Sequence, residues 1–128
     1  MAISPARDLV IVLDDDPGVL KAIQRLLTAC RIDCELFTSV HDFQSRARLH
    51  LASCLILDVN LNGESGIDVR RKLAITWPSI PVIFITANDS EGTRNAATEA
   101  GCIAYLVKPF SANSLIGAIE KASADSVH

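Results

Sequence analysis

No stretch of this sequence approaches the roughly 18 consecutive apolar residues that a membrane helix needs, so no transmembrane segment is expected. Residues 1–8 lack the basic region and apolar run of a secretory signal, and the default location is the cytoplasm. There is no basic excess: 12 Lys and Arg stand against 15 Asp and Glu, a net charge of −3, so no direct nucleic-acid binding is expected of the chain. Linkers, internal repeats and low-complexity segments are missing. A length of 128 residues fits one domain, 1–128, with a core at about 9–121, and leaves little room for a second. Among the four cysteines, Cys30, Cys34, Cys54 and Cys102, no Cys-x-x-Cys pair occurs. Cys30 and Cys34 are close, but they straddle a helix end and a strand start, and no histidine stands at finger-like spacing. Four inert thiols in a reducing compartment are expected.

What is present is alternation. Short runs rich in Val, Ile and Leu fall at residues 9–13, 34–37, 54–57, 81–85 and 102–107. Most are continuous rather than period-two, as strands covered on both faces of a parallel sheet read. The second is more polar and suits an edge. Helix signals separate the runs. Asp16-Pro17 is an N-cap followed by proline at the first helical position, ahead of Val19, Leu20, Ile23, Leu26 and Leu27. Ser39 with Asp42 resembles a capping box. A third helix spans 65–76 and stops near Trp77-Pro78; a fourth spans 91–100 and stops at Gly101. Ser111 caps a fifth that turns Leu115, Ile116 and Ile119 inward, and residues 124–128 read as a frayed tail. The order is βα five times. Parallel neighbours need right-handed crossovers, so an α/β fold follows: a (βα)5 doubly wound, five-stranded parallel sheet.

Ligands of such sheets bind beyond the carboxyl ends of the strands. Strand one ends in Asp14-Asp15-Asp16, strand three in Asp58, strand four in Thr86 and strand five in Lys108. Only the polar edge strand lacks a distinctive group there. Crowded carboxylates need compensation. Lys108 supplies one charge, and an all-oxygen cluster suits Mg²⁺ (or Mn²⁺), which takes one or two carboxylates, waters and a phosphate. A carboxylate is also a nucleophile toward phosphorus. A cation, an ammonium and a hydroxyl aimed at the equatorial oxygens would stabilise the transferring group.

Asp14-Asp15 after Val10-Ile11-Val12-Leu13, the segment Leu55-Ile56-Leu57-Asp58, Ile85-Thr86-Ala87, and Val107-Lys108-Pro109-Phe110 together resemble the response-regulator receiver family of bacterial two-component systems. The resemblance covers about 9–121, and its texture is similar to receivers of transcriptional regulators with a helix-turn-helix output. It implies a flavodoxin-like strand order 2-1-3-4-5. It implies that Asp58 accepts a phosphoryl group from a sensor histidine kinase or a phosphotransfer protein. Asp15 would bind the metal with Asp14 assisting, and Asp58 and the Asn60 backbone carbonyl would complete the protein ligands. Lys108, Thr86 and Ala87 would stabilise the phosphoryl group, and Thr86 and Tyr105 would form the switch. Asn60 and Asn88 stand where the family tunes phosphate lifetime. The Lys108–Pro109 bond is often cis in such domains. The output surface, fourth helix to fifth helix at 90–121, would meet a partner or a second copy. The resemblance thus implies a phosphoacceptor signalling domain, able to promote its own phosphorylation and dephosphorylation, rather than an enzyme. No output domain follows the fifth helix, so the expectation is a stand-alone receiver or a piece of a longer regulator.

The loop after the acceptor departs from the family pattern. It reads Asn62-Gly63-Glu64-Ser65-Gly66. Asn-Gly remains good turn chemistry, and Ser65 can cap the third helix. Two other functions compete. Asp14-x-Asp16 also resembles the nucleophile motif of haloacid-dehalogenase-type phosphatases, but Pro17 is out of place there and nothing acidic follows Lys108 until Glu120. A binding module that has lost phosphorylation is the other, although every group needed is present. His41 and His50 read as exposed helix residues, and Trp77 as local packing.

Overall fold

Each of the five α-helices of the computed structural model begins where a side chain takes over a backbone group; the structure describes residues 9–126. The main elements are β1 (Leu9–Leu13), α1 (Pro17–Ala29), β2 (Cys34–Phe37), α2 (Val40–Arg46), β3 (Ala52–Asp58), α3 (Gly66–Thr76), β4 (Val82–Thr86), α4 (Glu91–Glu99), β5 (Ala104–Val107) and α5 (Ala112–Ser126). Asp16 accepts from the Gly18 N–H at 2.8 Å, with Pro17 in the first turn. Ser39, Ser65, Ser90 and Ser111 each accept from a first-turn N–H of α2, α3, α4 and α5. At the other end of α4, Gly101 takes φ +84°, the left-handed stop that a side chain resists.

The five strands form one parallel sheet in the order β2-β1-β3-β4-β5. This is the flavodoxin-like order. Alternate residues of the strands feed two cores. Ile11, Leu13, Leu55, Leu57 and Phe84 face one side with Phe43 of α2, Ile67 and Val69 of α3 and Ala97 of α4. Val10, Val12, Ile56, Ile83 and Ile85 face the other with Leu20, Ile23 and Leu27 of α1 and Leu115, Ile119 and Ala122 of α5. Each fully buried Leu or Ile contributes about 1.5–3 kcal/mol. Both faces of β1, β3 and β4 are buried, so hydrophobicity alone tolerates a one-residue slip. The residues that punish one are polar: Asp14, Asp58 and Thr86, each buried at a strand's carboxyl end.

Several boundaries differ from the expectation. β3 starts at Ala52 rather than at 54, because buried Ser53 satisfies its hydroxyl by donating to the Leu9 carbonyl at 3.3 Å. β5 starts at Ala104 rather than at 102 and is half-buried to exposed, being the second edge of the sheet. The fraying expected from 124 does not occur through Ser126; the rest of that tail, and residues 1–8, lie outside the described residues. The Asn62-Gly63 turn closes a small antiparallel ladder, Asn60–Leu61 against Glu64–Ser65, with Gly63 at φ +75°. All four cysteines are free, and burial pushes the Cys54 thiol up to about 12. His41 and His50 are exposed, and Trp77 packs partly buried against the core.

Candidate functional site

Three chain segments far apart in sequence meet at one rim because their strands lie side by side. β1 and β3 are neighbours, so Asp14, just past β1, stands beside Asp58 at the end of β3. Lys108 follows β5 and reaches back across Thr86, whose carbonyl accepts the Lys108 N–H at 2.8 Å. The Lys108–Pro109 bond is cis.

The Lys108 ammonium donates to Asp14 Oδ2 at 2.8 Å and to Asp58 Oδ2 at 3.1 Å. Both acceptors are buried, with residue exposures of 0% and 4%. The remaining oxygens are also engaged: Asp14 Oδ1 accepts from the Asp16 N–H at 2.8 Å, and Asp58 Oδ1 from the Asn60 N–H at 3.1 Å. Asp15 completes the cluster; one carboxylate oxygen from each of Asp14, Asp15 and Asp58 lies within 4.8 Å of the others. Among the described residues Asp15 has no hydrogen bond or ion pair.

Three carboxylates against one ammonium leave the pocket short of positive charge. Burial raises the Asp58 carboxyl above its ordinary range and Asp14 raises it further, against the lowering by the Asn60 N–H and Lys108. Burial pulls the Lys108 ammonium down, but hydrogen bonds from it to Asp14 and Asp58 outweigh that, and its pKa is raised. An all-oxygen donor set with surplus negative charge fits a hard divalent cation of the Mg²⁺ type.

Thr86 is fully buried beside this cluster. Its hydroxyl oxygen accepts from the Asn88 N–H at 3.0 Å and from Asn60 Nδ2 at 3.4 Å. Asn60 therefore touches both Asp58 and Thr86. Ala87 and the Asn88 side chain lie exposed on the following loop. Tyr105 is brought elsewhere: its hydroxyl donates to Asp89 at 3.0 Å, not to Thr86.

Two groups escaped the sequence reading. The first is Gly66, buried at the start of α3. A Cβ built there would lie 2.0 Å from the Asp58 carbonyl oxygen, so only glycine lets α3 approach the backbone of the central acid. A glycine inside a helix's first turn, soon after Asp58, was the available signal. The second is the pair Asp89 and Arg94, whose spacing resembles any exposed helix-start pair. Beside Lys108, an apolar cavity of about 630 Å³ opens between α1 and α5, lined by Val19, Ala22, Leu26, Pro109 and Phe110.

The phosphatase-type alternative fits poorly. Asp16, the acid of that motif, is spent as the cap of α1, where its carboxylate accepts from the Gly18 N–H.

A family model described as the response regulator receiver domain matches residues 10–120. The response regulator protein TodT of Pseudomonas putida is 34% identical over 119 residues, covering 93% of this chain and 52% of that protein. The chain thus spans about half the length of that relative. The solved structure of the response regulator StyR is 33% identical, with a TM-score of 0.84 over 93% of this chain and 60% of that one. The beryllofluoride-activated NtrC4 receiver domain dimer superimposes with a TM-score of 0.86 over 93% of this chain and 98% of that one; at 21% identity this likeness speaks for the fold alone.

Proposed function

Because the chain belongs to the response-regulator receiver family, the phosphoacceptor domains of two-component phosphorelays, we propose that Asp58 is its acceptor and the acidic rim its Mg²⁺ site. The observation that carries this reading is Lys108, whose single ammonium is shared between Asp14 and Asp58 at 2.8 and 3.1 Å. An ammonium on that oxygen of Asp58 stands where it can follow the charge from carboxylate to phosphoryl group.

An Asp58 oxygen attacks phosphorus in line, the bond from phosphorus to the donor nitrogen of a phosphohistidine breaks, and the imidazole leaves with that electron pair and takes up a proton. Asp14, Asp15, Asp58 and the Asn60 carbonyl would hold Mg²⁺ (or Mn²⁺), which supplies charge neutralisation at the phosphoryl oxygens when bound. Lys108 then shifts its hydrogen bond from Asp58 to a phosphoryl oxygen. The Thr86 hydroxyl and the Ala87 N–H approach the same group, and Tyr105 follows Thr86. Asn60 and Asn88, neutral amides flanking the site, set how readily water attacks the acyl phosphate, which the domain hydrolyses itself. The donor is a sensor histidine kinase or phosphotransfer protein, and the apolar cavity between α1 and α5, open beside Lys108, suits its docking. A relay of this kind belongs in the cytoplasm. The described residues act as one receiver domain, and α4-β5-α5 forms its output or dimer face.

Incubation with Mg²⁺ and a small acyl phosphate, read by intact mass, tests the reading. The wild type should gain one phosphoryl group and Asp58→Ala none. Labelling that survives Asp58→Ala, or never occurs in the wild type, removes Asp58 from the role. Asp14→Asn, by contrast, should raise the Mg²⁺ concentration needed for labelling while leaving Asp58 the labelled residue.

A further inference from the structure

Asp89 and Arg94 take no part in the phosphoryl chemistry, yet they hold the chain's single tyrosine. The Tyr105 hydroxyl donates to Asp89 Oδ1 at 3.0 Å, and Arg94 Nη2 donates to Asp89 Oδ2 at 2.6 Å. The Arg94 guanidinium carbon lies 5.2 Å from the centre of the Tyr105 ring, within cation–π range. Each of the three residues therefore touches the other two.

The triangle joins three elements. Asp89 sits in the loop that leaves β4, Arg94 in the first half of α4, and Tyr105 on β5 opposite Phe84. The same loop carries the Asn88 N–H that is bonded to the buried Thr86 hydroxyl. If that hydroxyl re-aims at a phosphoryl group on Asp58, it gives up the Asn88 N–H, and the loop carrying Asp89 is freed at one end. Asp89 secures the other end.

Resting on the reading of Asp58 as acceptor, we propose that Asp89 is a positioning residue: with Arg94 it latches Tyr105 outward and holds the loop 87–90 in the arrangement of the unphosphorylated domain. Phosphorylation and release of the latch are then two ends of one equilibrium, and weakening either end shifts the other. The burial of Tyr105 and the neighbouring Asp89 carboxylate both raise the phenol pKa, as expected for a hydroxyl held as a donor. An exposed ion pair and an exposed cation–π contact are small forces, so the latch biases the switch by about two- to five-fold rather than locking it.

A single tyrosine gives a single ¹⁹F resonance when 3-fluorotyrosine is incorporated. In the wild type that resonance should move when Mg²⁺ and an acyl phosphate are added. Asp89→Asn and Arg94→Gln should move it part of the way with no phosphodonor present and raise the initial phosphorylation rate about two- to five-fold. Asp89→Glu should restore the wild-type values, and Asp89→Asn should add nothing to Tyr105→Phe. No phosphoryl uptake by the wild type would sink the reading of Asp58. Uptake by the wild type, with resting resonance and rate unmoved in both variants, would overturn the latch alone.

Discussion

Two aspartates of this domain each accept a hydrogen bond from a basic side chain, and their acidities move in opposite directions. Asp58 is 4% exposed, shares Lys108 with Asp14 and is raised above the ordinary carboxylate range, chiefly by burial. Asp89 is exposed on its loop, has Arg94 and the Tyr105 hydroxyl to itself and is lowered, chiefly by the bond from Arg94. The ingredients are nearly the same, so an acid–base pair alone does not set the outcome. What separates the two places is the ratio of charges and the water left around them. The buried rim carries more negative charge than its lysine neutralises, a surplus that a divalent cation would offset. The exposed triangle is balanced and has nothing left to offer a ligand.

Two glycines test how firmly the two places are built, and they carry the largest expected effect. A methyl at Gly66 would sit 2.0 Å from the Asp58 carbonyl oxygen and 2.9 Å from its carbon, backbone atoms that cannot step aside. Gly66→Ala should therefore cost about 3 kcal/mol or more and, with Asp58 as the proposed acceptor, reduce phosphoryl uptake by displacing it. Gly92, in α4 beside the triangle, has nothing within 4 Å of the same added atom. Gly92→Ala should stabilise the domain by up to about 1 kcal/mol, through helix propensity, and leave uptake intact. Urea melts and labelling of the two variants make the contrast; equal stability losses would mean that the acidic rim is no more rigid than the surface.

Charge removal comes next. Lys108→Ala leaves two buried carboxylates without their cation. Lys108 keeps 16% side-chain exposure, so about 1–3 kcal/mol of destabilisation is expected in metal-free buffer, below the cost of a fully buried pair. Asp58→Asn should do the reverse. The folded Asp58 pKa is raised, so the folded state binds its proton more tightly than the unfolded chain. Stability then falls as pH climbs from the unfolded value to the folded one, and above that window the full penalty is present. Neutral Asn removes it, and the melting temperature without metal should rise, by the equivalent of roughly 1 kcal/mol. Saturating Mg²⁺ should stabilise the wild type more than Asp58→Asn and shrink that gap. A gap that Mg²⁺ leaves unchanged would show that Asp58 is not in contact with the cation.

The sequence made the buried rim legible and left the exposed triangle invisible, for a physical reason. Strand ends are marked by an abrupt change from Val, Ile and Leu to Asp, Thr or Lys, and topology converts those ends into neighbours. Asp14, Asp15, Asp58, Thr86 and Lys108 all come to one rim in this way. Asp89, Arg94 and Tyr105 carry no such mark. They meet because the loop after β4 and the start of α4 bring Asp89 and Arg94 to Tyr105 on β5, a tertiary approach that no local pattern encodes. Gly66 fell between: its place in the helix was readable from the Ser65 cap, but its need to lie against Asp58 depends on a tertiary approach. Strand boundaries failed where a polar residue was hidden, as at Ser53, whose hydroxyl finds its acceptor on a different strand.

The smallest expected effect is a difference of sign. The folded Asp89 pKa is depressed below its ordinary 3.8, so its contribution to stability is present above that value and is lost as pH falls through the folded one. Asp89→Asn should therefore be slightly less stable than the wild type at neutral pH, with the gap closing in acid below about pH 3.8. Asp58→Asn should be more stable than the wild type at neutral pH, and its advantage should also close in acid, from above rather than below. Thermal melts of both variants across that range, in metal-free buffer, read the two signs directly. Were both gaps to carry the same sign at neutral pH, burial would not be what distinguishes these aspartates, and the surplus of negative charge at the rim would lose its claim to be the feature that recruits a cation.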